Sequence, residues 1–219
     1  MTKTEVRARI EEIGIIPGIR VSTPERARFA AEAVYRAGIP IAEITMTVPG
    51  ALDVISQLAR DFPDLVVGAG TVLDIETASR ALDAGAGFLT STGLVPEVVE
   101  FALKNNVVVF PGVMTPTEVI AASRMGADLV KVFPCGPLGG PGYIRTLKLP
   151  FPQLSLIATG GVNQQTARDF ILAGAAALGI GGQLINPEGL PEMREEQIRE
   201  LARRYLAMVR SARTQKSGG

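Results

Sequence analysis

The chain has 219 residues and equal numbers of basic and acidic side chains, 22 of each, so its charge favours neither nucleic acid nor an anionic membrane as a partner. Hydrophobic residues make up 47% of the sequence, yet no apolar run approaches the length that crosses a bilayer, and we expect a soluble protein. The single cysteine excludes an intramolecular disulfide, and the lack of histidine excludes every histidine-based triad.

The hydrophobic pattern predicts helices and strands that alternate along the chain after an opening helix at about residues 3–12. The next helix has Thr23 as its N-cap, Pro24 at its first position and Gly38 after its end. Strands are predicted near residues 15–20, 40–46, 64–69, 87–91, 106–110, 128–133, 154–158 and 176–180. Helices are predicted near residues 24–37, 50–60, 75–84, 95–104, 116–125, 140–147, 164–173 and 191–210, with a frayed tail at about 212–219.

This alternation indicates parallel βαβ units, which either a closed barrel or an open doubly wound sheet could hold. The segments that contain strands two, four, six and eight resemble one another: RAGIPIAEI, DAGAGFLTS, RMGADLVKV and LAGAAALGI. Such a two-unit repeat favours the barrel, in which odd and even strands fill alternating interior layers. We predict one α/β domain over residues 1–219, a (β/α)8 TIM barrel with an extra N-terminal helix.

Lys131 stands in the middle of a strand that otherwise reads as buried, on the same face as Leu129 and Phe133. Burial disfavours the charged form of an amine, and a neutral lysine attacks carbonyl groups to form Schiff bases. The alternatives are a structural pair with a buried carboxylate, or a side chain that snorkels out of the strand end. The strand alone does not decide between them.

Glu43 is a second ionisable residue within an apolar strand, on one face with Ile41 and Thr45. A buried ion pair with Lys131 is the structural alternative, but such pairs are often no more stable than apolar residues of similar size. Two such groups near the carboxyl ends of barrel strands favour acid/base chemistry on a carbonyl bound at Lys131.

Two glycine pairs follow the last two strands, Gly160–Gly161 and Gly181–Gly182. Backbone N–H groups without side chains approach a phosphate closely, and the loops after strands seven and eight are the usual phosphate site of such barrels. Tight turns are the alternative explanation for either pair alone. Their shared position favours a phosphate site.

Several polar side chains also lie at strand ends. Thr115 is explained as the N-cap of a capping box with Glu118. Thr71 and Thr92 have no such explanation and are candidates to hydrogen-bond a small polar substrate. Arg20 ends the first strand and is the best candidate to clamp a carboxylate or phosphate, with an exposed rim arginine as the alternative.

Cys135 follows the lysine strand, and without a histidine to activate it we interpret it as a packing residue rather than a reactive thiol. No carboxylate cluster has metal-ligand spacing, so we expect no metal. One cysteine and an N-terminus without an apolar signal core predict a cytoplasmic protein. A surface without net charge also favours self-association.

Together these residues resemble the class I 2-keto-3-deoxy-6-phosphogluconate (KDPG) aldolases, also called bifunctional 4-hydroxy-2-oxoglutarate aldolases. The resemblance covers about residues 14–185. It rests on five motifs in one order and spacing: EIT at 43–45, VGAGTVL at 67–73, PGVMTPTE at 111–118, KVFP at 131–134 and TGGV at 159–162.

The resemblance implies a small-molecule keto acid substrate that is cleaved reversibly to pyruvate and D-glyceraldehyde 3-phosphate. Lys131 would be the Schiff-base lysine and Glu43 the general acid/base, in a homotrimer that uses no metal and no cofactor beyond the covalent imine. Thr71 and Phe133 would surround the pyruvyl group, and Thr159 would lie near the hydroxyl-bearing carbon. The phosphate would be held by Gly160, Gly161, Gly181 and Gly182.

Three departures from the family pattern bear on substrate preference. Thr47 stands where many relatives have a carboxylate-binding arginine, although some share the threonine and place an arginine where Arg20 is. Thr92 replaces a common proline, and Gln183 replaces a serine that often assists the phosphate. The alternative substrates are 4-hydroxy-2-oxoglutarate and the galacto epimer of the phosphorylated acid. The SGG tail and the lack of histidine also permit an engineered trimeric assembly scaffold as an alternative function.

Overall fold

The computed structural model describes residues 1–186 and 194–217, in which strands and helices alternate after a first helix. The strands are β1 (Ile15–Ile19), β2 (Ile41–Thr45), β3 (Val66–Gly70), β4 (Phe88–Thr90), β5 (Val108–Phe110), β6 (Gly112–Val113), β7 (Val130–Val132), β8 (Leu156–Thr159) and β9 (Ala177–Ile180). The helices are α1 (Lys3–Ile13), α2 (Pro24–Arg36), α3 (Ala51–Asp61), α4 (Ile75–Asp83), α5 (Pro96–Lys104), α6 (Pro116–Arg124), α7 (Pro141–Lys148), α8 (Ala167–Leu172), α9 (Gly182–Ile185) and α10 (Glu195–Ser217).

All strands pair in parallel, in the order β5-β4-β3-β2-β1-β9-β8-β7-β6. The two ends of this order, β5 and β6, are consecutive parts of one segment interrupted at Pro111, which has no N–H to donate. β5 pairs with β4 and β6 pairs with β7, so the segment brings the sheet round into a barrel. The predicted (β/α)8 barrel with an extra N-terminal helix is confirmed.

The barrel packs apolar residues on both faces of its strands, and all five positions of β2 and of β3 are buried. Helix α1 begins with a capping box between Thr2 and Glu5 and buries Val6 and Ile10. Its Lys3 Nζ lies 3.0 Å from the Asp128 carboxylate, just before β7. Helix α1 therefore lies at the amino ends of the strands, opposite the carboxyl ends where such barrels carry their sites.

The predicted capping box at the start of α6 is confirmed. The Thr115 hydroxyl accepts a hydrogen bond from the Glu118 N–H at 3.4 Å. The Glu118 carboxylate accepts from the N–H groups of Met114 and Thr115 at 2.6 and 2.8 Å, which lowers its pKa. Thr115 therefore stabilises a helix end and is explained without a substrate.

The predicted frayed tail is wrong over the described residues, because α10 continues to Ser217. Ala212 is fully buried, and the Arg213 guanidinium donates to the carbonyl oxygens of Glu11 at 2.6 Å and Ala176 at 2.8 Å and to that of Glu12. These contacts join the end of α10 to α1 and to the residue before β9, both of which are distant from α10 in the sequence. Residues 191–193 of the predicted last helix and residues 218–219 of the tail lie outside the described residues.

The pattern also missed α9, a helix of four residues that follows β9. In the described part of the chain, no helix combines the length and the apolar character needed to span a membrane.

Replacing Arg213 with alanine should lower the free energy of unfolding by about 1.5–3 kcal/mol, since it removes charge-assisted hydrogen bonds to three carbonyl groups. Urea denaturation measures the effect. The matched control is Arg210→Ala, one helical turn earlier on an exposed position, which should change stability by less than about 0.5 kcal/mol. Equal losses in the two variants would mean that the Arg213 contacts do not fix the end of α10.

Candidate active site

A cavity of about 410 Å³ opens at the carboxyl ends of the barrel strands. Every predicted site residue lines it except Thr71: Arg20, Glu43, Thr92, Lys131, Phe133, Thr159, Gly160, Gly161, Gly181 and Gly182. The sequence did not single out Gly18 or Gly179, which also line the cavity. The strand register places these small residues beside bulky polar ones, Gly18 beside Glu43 and Gly179 beside Thr159.

Lys131 on β7 and Glu43 on β2 meet inside this cavity. Their side chains are only 6% and 8% exposed, and Lys131 Nζ lies 3.9 Å from Glu43 Oε1. Lys131 Nζ is also 5.8 Å from the centre of the Phe133 ring. Lys131 therefore does not snorkel out of its strand. The pair borders ligand-sized space rather than close-packed side chains, which favours a chemical over a purely structural role.

Gly70 provides the space for the Glu43 carboxylate. A Cβ atom at Gly70 would lie 2.0 Å from Glu43 Oε1, so any side chain there would displace the carboxylate from this position. The register of β2 and β3 sets Thr45 opposite Gly70 and Glu43 opposite Gly68, so Glu43 leans toward the carboxyl end of the neighbouring strand. This places its carboxylate at the mouth of the barrel, near Lys131.

A directed set of hydrogen bonds holds Arg20. Its Nη1 donates to Thr47 Oγ1 at 3.0 Å and its Nη2 donates to Thr71 Oγ1 at 3.2 Å. The Thr45 hydroxyl donates to the carbonyl oxygen of Ile19 at 3.1 Å and lies 2.9 Å from Thr47 Oγ1. A hydroxyl has one proton, so Thr47 must donate to Thr45 and accept from Arg20. Arg20 is exposed, yet it is fixed over the cavity rather than free at the rim.

Thr71 lies outside the cavity lining but contributes through this contact with Arg20. Its φ of 61° is in the left-handed region, which β-branched residues rarely adopt. Such a conformation costs roughly 1–3 kcal/mol and is found mostly at functional sites.

The two glycine pairs, Gly160–Gly161 and Gly181–Gly182, differ in how far backbone conformation and packing explain the choice of glycine. Gly160 and Gly161 have φ of 79° and 95°, and a Cβ at Gly161 would lie 2.6 Å from Gly136 Cα, so turn and packing explain this pair. A Cβ at Gly182 would meet nothing within 4 Å, so packing does not explain that glycine. Both pairs nevertheless line the cavity, and a glycine has no side chain of its own to cover its backbone N–H.

The hydroxyl of Thr159 is buried and has no hydrogen-bond partner among the described residues. Gly179 on the neighbouring strand makes room for it, because a Cβ there would lie 2.3 Å from Thr159 Oγ1. A buried hydroxyl without a partner costs free energy, and a ligand atom in the cavity would satisfy it.

Cys135 is fully buried, and its thiol lies 3.1 Å from the carbonyl oxygen of Val132. Burial raises the pKa of this thiol to about 11. The nucleophilic thiolate is therefore scarce at neutral pH, which supports the interpretation of Cys135 as a packing residue. Among residues 1–186 and 194–217, no group of three histidine, cysteine or acidic side chains could hold a metal ion.

Comparisons with known proteins identify the family of the chain. A family model described as "Aldolase: KDPG and KHG aldolase" matches residues 6–201. The chain is 33% identical over 196 residues to 2-dehydro-3-deoxy-phosphogluconate aldolase of Pseudomonas aeruginosa, covering 89% of each chain. It is 31% identical over 202 residues to the KHG/KDPG aldolase of Escherichia coli K12, covering 92% of this chain and 94% of that one.

A similar solved structure is the KDPG aldolase of Legionella pneumophila with pyruvate captured at low pH as a covalent carbinolamine intermediate. It superposes with a TM-score of 0.77 and 27% sequence identity, covering 94% of this chain and 97% of that one.

Proposed function

The chain belongs to the KDPG and KHG aldolase family, and from that premise we propose that it is a Schiff-base aldolase. Its proposed reaction is the reversible cleavage of 2-dehydro-3-deoxy-6-phosphogluconate to pyruvate and D-glyceraldehyde 3-phosphate. Cleavage of 4-hydroxy-2-oxoglutarate to pyruvate and glyoxylate is the proposed second activity. The observation that carries the proposal is the buried Lys131 amine, 3.9 Å from the Glu43 carboxylate in a cavity at the mouth of the barrel.

In the proposed mechanism, the Lys131 ammonium gives a proton to the Glu43 carboxylate and the neutral Nζ attacks the C2 ketone of the substrate. A proton then moves from Nζ to the former ketone oxygen, which gives a carbinolamine. Glu43 protonates the hydroxyl of the resulting carbinolamine, which leaves as water and gives a protonated imine. The Glu43 carboxylate then takes the proton of the C4 hydroxyl, directly or through a water molecule. The C3–C4 bond breaks, the aldehyde leaves, and the bonding electrons enter the imine to form an enamine.

The same two residues complete the turnover. Glu43 returns to C3 the proton that it took from the C4 hydroxyl, which converts the enamine to the imine of pyruvate. Water then hydrolyses this imine to release pyruvate and free Lys131. Low exposure of both side chains limits competition from bulk water for the imine and enamine. Phe133 and Thr159 would border the reacting carbons, since both line the cavity beside Lys131.

Incubation with pyruvate and borohydride should reduce the imine to a stable secondary amine on Lys131. Peptide mass mapping should find the added mass there and leave Lys104 and Lys148 unmodified, because neither lines the cavity. Lys131→Ala should abolish both the adduct and pyruvate release from a panel of the phosphorylated acid, its galacto epimer and 4-hydroxy-2-oxoglutarate.

Glu43→Gln keeps the size of the side chain and removes its acid/base function. It should slow imine formation and turnover while the thermal unfolding temperature stays within a few degrees of wild type. Wild-type turnover without a trapped adduct, or turnover that needs an added divalent metal, would contradict the mechanism. Release of pyruvate from none of the three substrates would contradict the function.

Arg20 is the proposed clamp for the carboxylate of the pyruvyl group, because its two terminal nitrogens are oriented by Thr47 and Thr71. Arg20→Ala should weaken pyruvate binding roughly 10- to 100-fold, the usual loss for a charge-assisted contact. Thr47→Val removes the acceptor for Nη1 and should weaken pyruvate binding roughly threefold, while Thr47→Ser should restore it. Calorimetry with pyruvate measures all three. Unchanged affinity in Arg20→Ala would assign this arginine to the other end of the substrate.

The proposed assembly is a homotrimer, as the family resemblance implies. Large apolar side chains that a partner copy could cover remain exposed on the single chain, with Leu73 52%, Ile75 47% and Met114 44% exposed. Light scattering of the purified protein should give three times the mass of one chain. A single-chain mass, or a particle of many trimers as an assembly scaffold would form, would contradict a simple trimer.

A further inference from the structure

A second cavity, of about 240 Å³, adjoins the active site. The two cavities share Gly18, Arg20 and Gly182, so they meet where the loop after β1 lies beside the loop after β9. The remaining described residues that line the second cavity are Val21, Ser22, Arg26, Ile185 and Asn186. Its lining therefore includes two arginines and, among the described residues, no carboxylate.

No contact of its charged group in the described part of the chain explains why Arg26 is an arginine. Its side chain is partly buried, and its guanidinium makes no hydrogen bond or ion pair with any described residue. The other arginines of α2 are paired: Arg28 with Glu32 and Asp61, and Arg36 with Glu32 and Glu195. Arg26 is thus the arginine on this helix whose charge is left available to a ligand.

The position of Arg26 is also unfavourable for the helix itself. It lies in the first turn of α2, where its N–H donates to the N-cap hydroxyl of Thr23. A cation at this end opposes the helix dipole, whereas Glu25 in the same turn complements it. Residues that break a local rule without a compensating contact concentrate at functional sites. A bound anion would supply that contact.

The anionic groups of the proposed substrate can be matched with the cationic side chains of the larger cavity. The substrate has a carboxylate and a phosphate, and a phosphate carries roughly −1.5 to −2 at neutral pH. The larger cavity offers two cations: Lys131, which becomes the imine, and Arg20, which faces the carboxylate in the function proposed above. The glycine pairs supply only uncharged N–H groups. The phosphate would thus have no cationic partner in the larger cavity.

We propose that Arg26 is the cationic ligand of the substrate phosphate, with the phosphate bound between the Gly181–Gly182 backbone and the second cavity. Ser22 lines the same cavity and offers a hydroxyl donor to a phosphate oxygen. This inference rests on the proposed function. It makes Arg26 a specificity-determining residue for phosphorylated over unphosphorylated keto acids.

The test uses Arg26→Gln, which removes the charge but keeps a polar side chain, and Arg26→Lys, which keeps the charge. The control is Arg124→Gln, which removes an exposed arginine at the end of α6, outside both cavities. The binding probe is glycerol 3-phosphate, a phosphomonoester without a carbonyl group, and its dissociation constant is measured by calorimetry. This readout does not require turnover.

Arg26→Gln should weaken glycerol 3-phosphate binding at least about tenfold, while Arg26→Lys and Arg124→Gln should stay within about threefold of wild type. In turnover, Arg26→Gln should lower kcat/KM for the phosphorylated acid by a similar factor and leave 4-hydroxy-2-oxoglutarate unaffected. The pyruvate adduct trapped by borohydride should form at the wild-type level.

Unchanged glycerol 3-phosphate binding in Arg26→Gln, or no binding to wild type, would overturn the assignment of Arg26. An equal loss on both substrates would overturn it as well, because a ligand of the phosphate alone cannot affect a substrate without one. Failure of the proposed function is separate, since it appears as wild-type protein that neither forms the pyruvate adduct nor releases pyruvate.

Discussion

The contact between Lys131 and Glu43 constrains the rest of the barrel. The closing segment that contains β5 and β6 counts as one strand of an eight-strand ring, and in that ring β2 and β7 lie on opposite sides. Their side chains therefore reach each other across the interior, with 3.9 Å between nitrogen and oxygen. Removing both charges from water is costly, and the separation is too long for a direct hydrogen bond to offset it fully. The fold tolerates this arrangement where apolar residues would pack more tightly, which is typical of a site selected for chemistry.

Small residues on the neighbouring strands make that contact possible. Gly70 leaves room for the Glu43 carboxylate, and Gly179 leaves room for the Thr159 hydroxyl. At the closing segment, the carbonyl oxygens of Pro111 and Val113 accept the N–H groups of Lys131 and Phe133 at 3.0 Å each. β7 also pairs with β8, so its backbone is held by both neighbouring strands around the lysine. A reactive amine on a strand is positioned more rigidly than one on a loop, as covalent attack on a small ketone requires.

The sequence predicted the strands and helices because apolar periodicity and capping residues are local signals, as at Thr23 and Thr115. It also singled out Lys131 and Glu43 as ionisable residues within buried strands, since a charge inside an apolar strand is visible without coordinates. The features that the sequence could not show are contacts between residues far apart in the chain. The hydroxyl contacts that orient Arg20 join residues 20, 47 and 71, and the extended end of α10 depends on Arg213 reaching residues 11, 12 and 176. A polar segment at the end of a chain is typical of a frayed tail, and the sequence does not reveal the distant carbonyl groups to which Arg213 donates.

Closure of the barrel also explains how Arg26 comes to lie near the last glycine pair. β1 pairs with β9, so the first and last strands of the chain are neighbours and their loops share one rim. The rim between β1 and β9 thus receives one charged group from α2, Arg26, as well as backbone of Gly182. Lys131 and Glu43, the residues proposed to carry out the bond chemistry, lie on the opposite strands β7 and β2. In the proposed function the anion contacts and the reacting groups come from different strands, so a change at the β1–β9 rim should alter which acid is bound while the proposed chemistry at Lys131 stays the same.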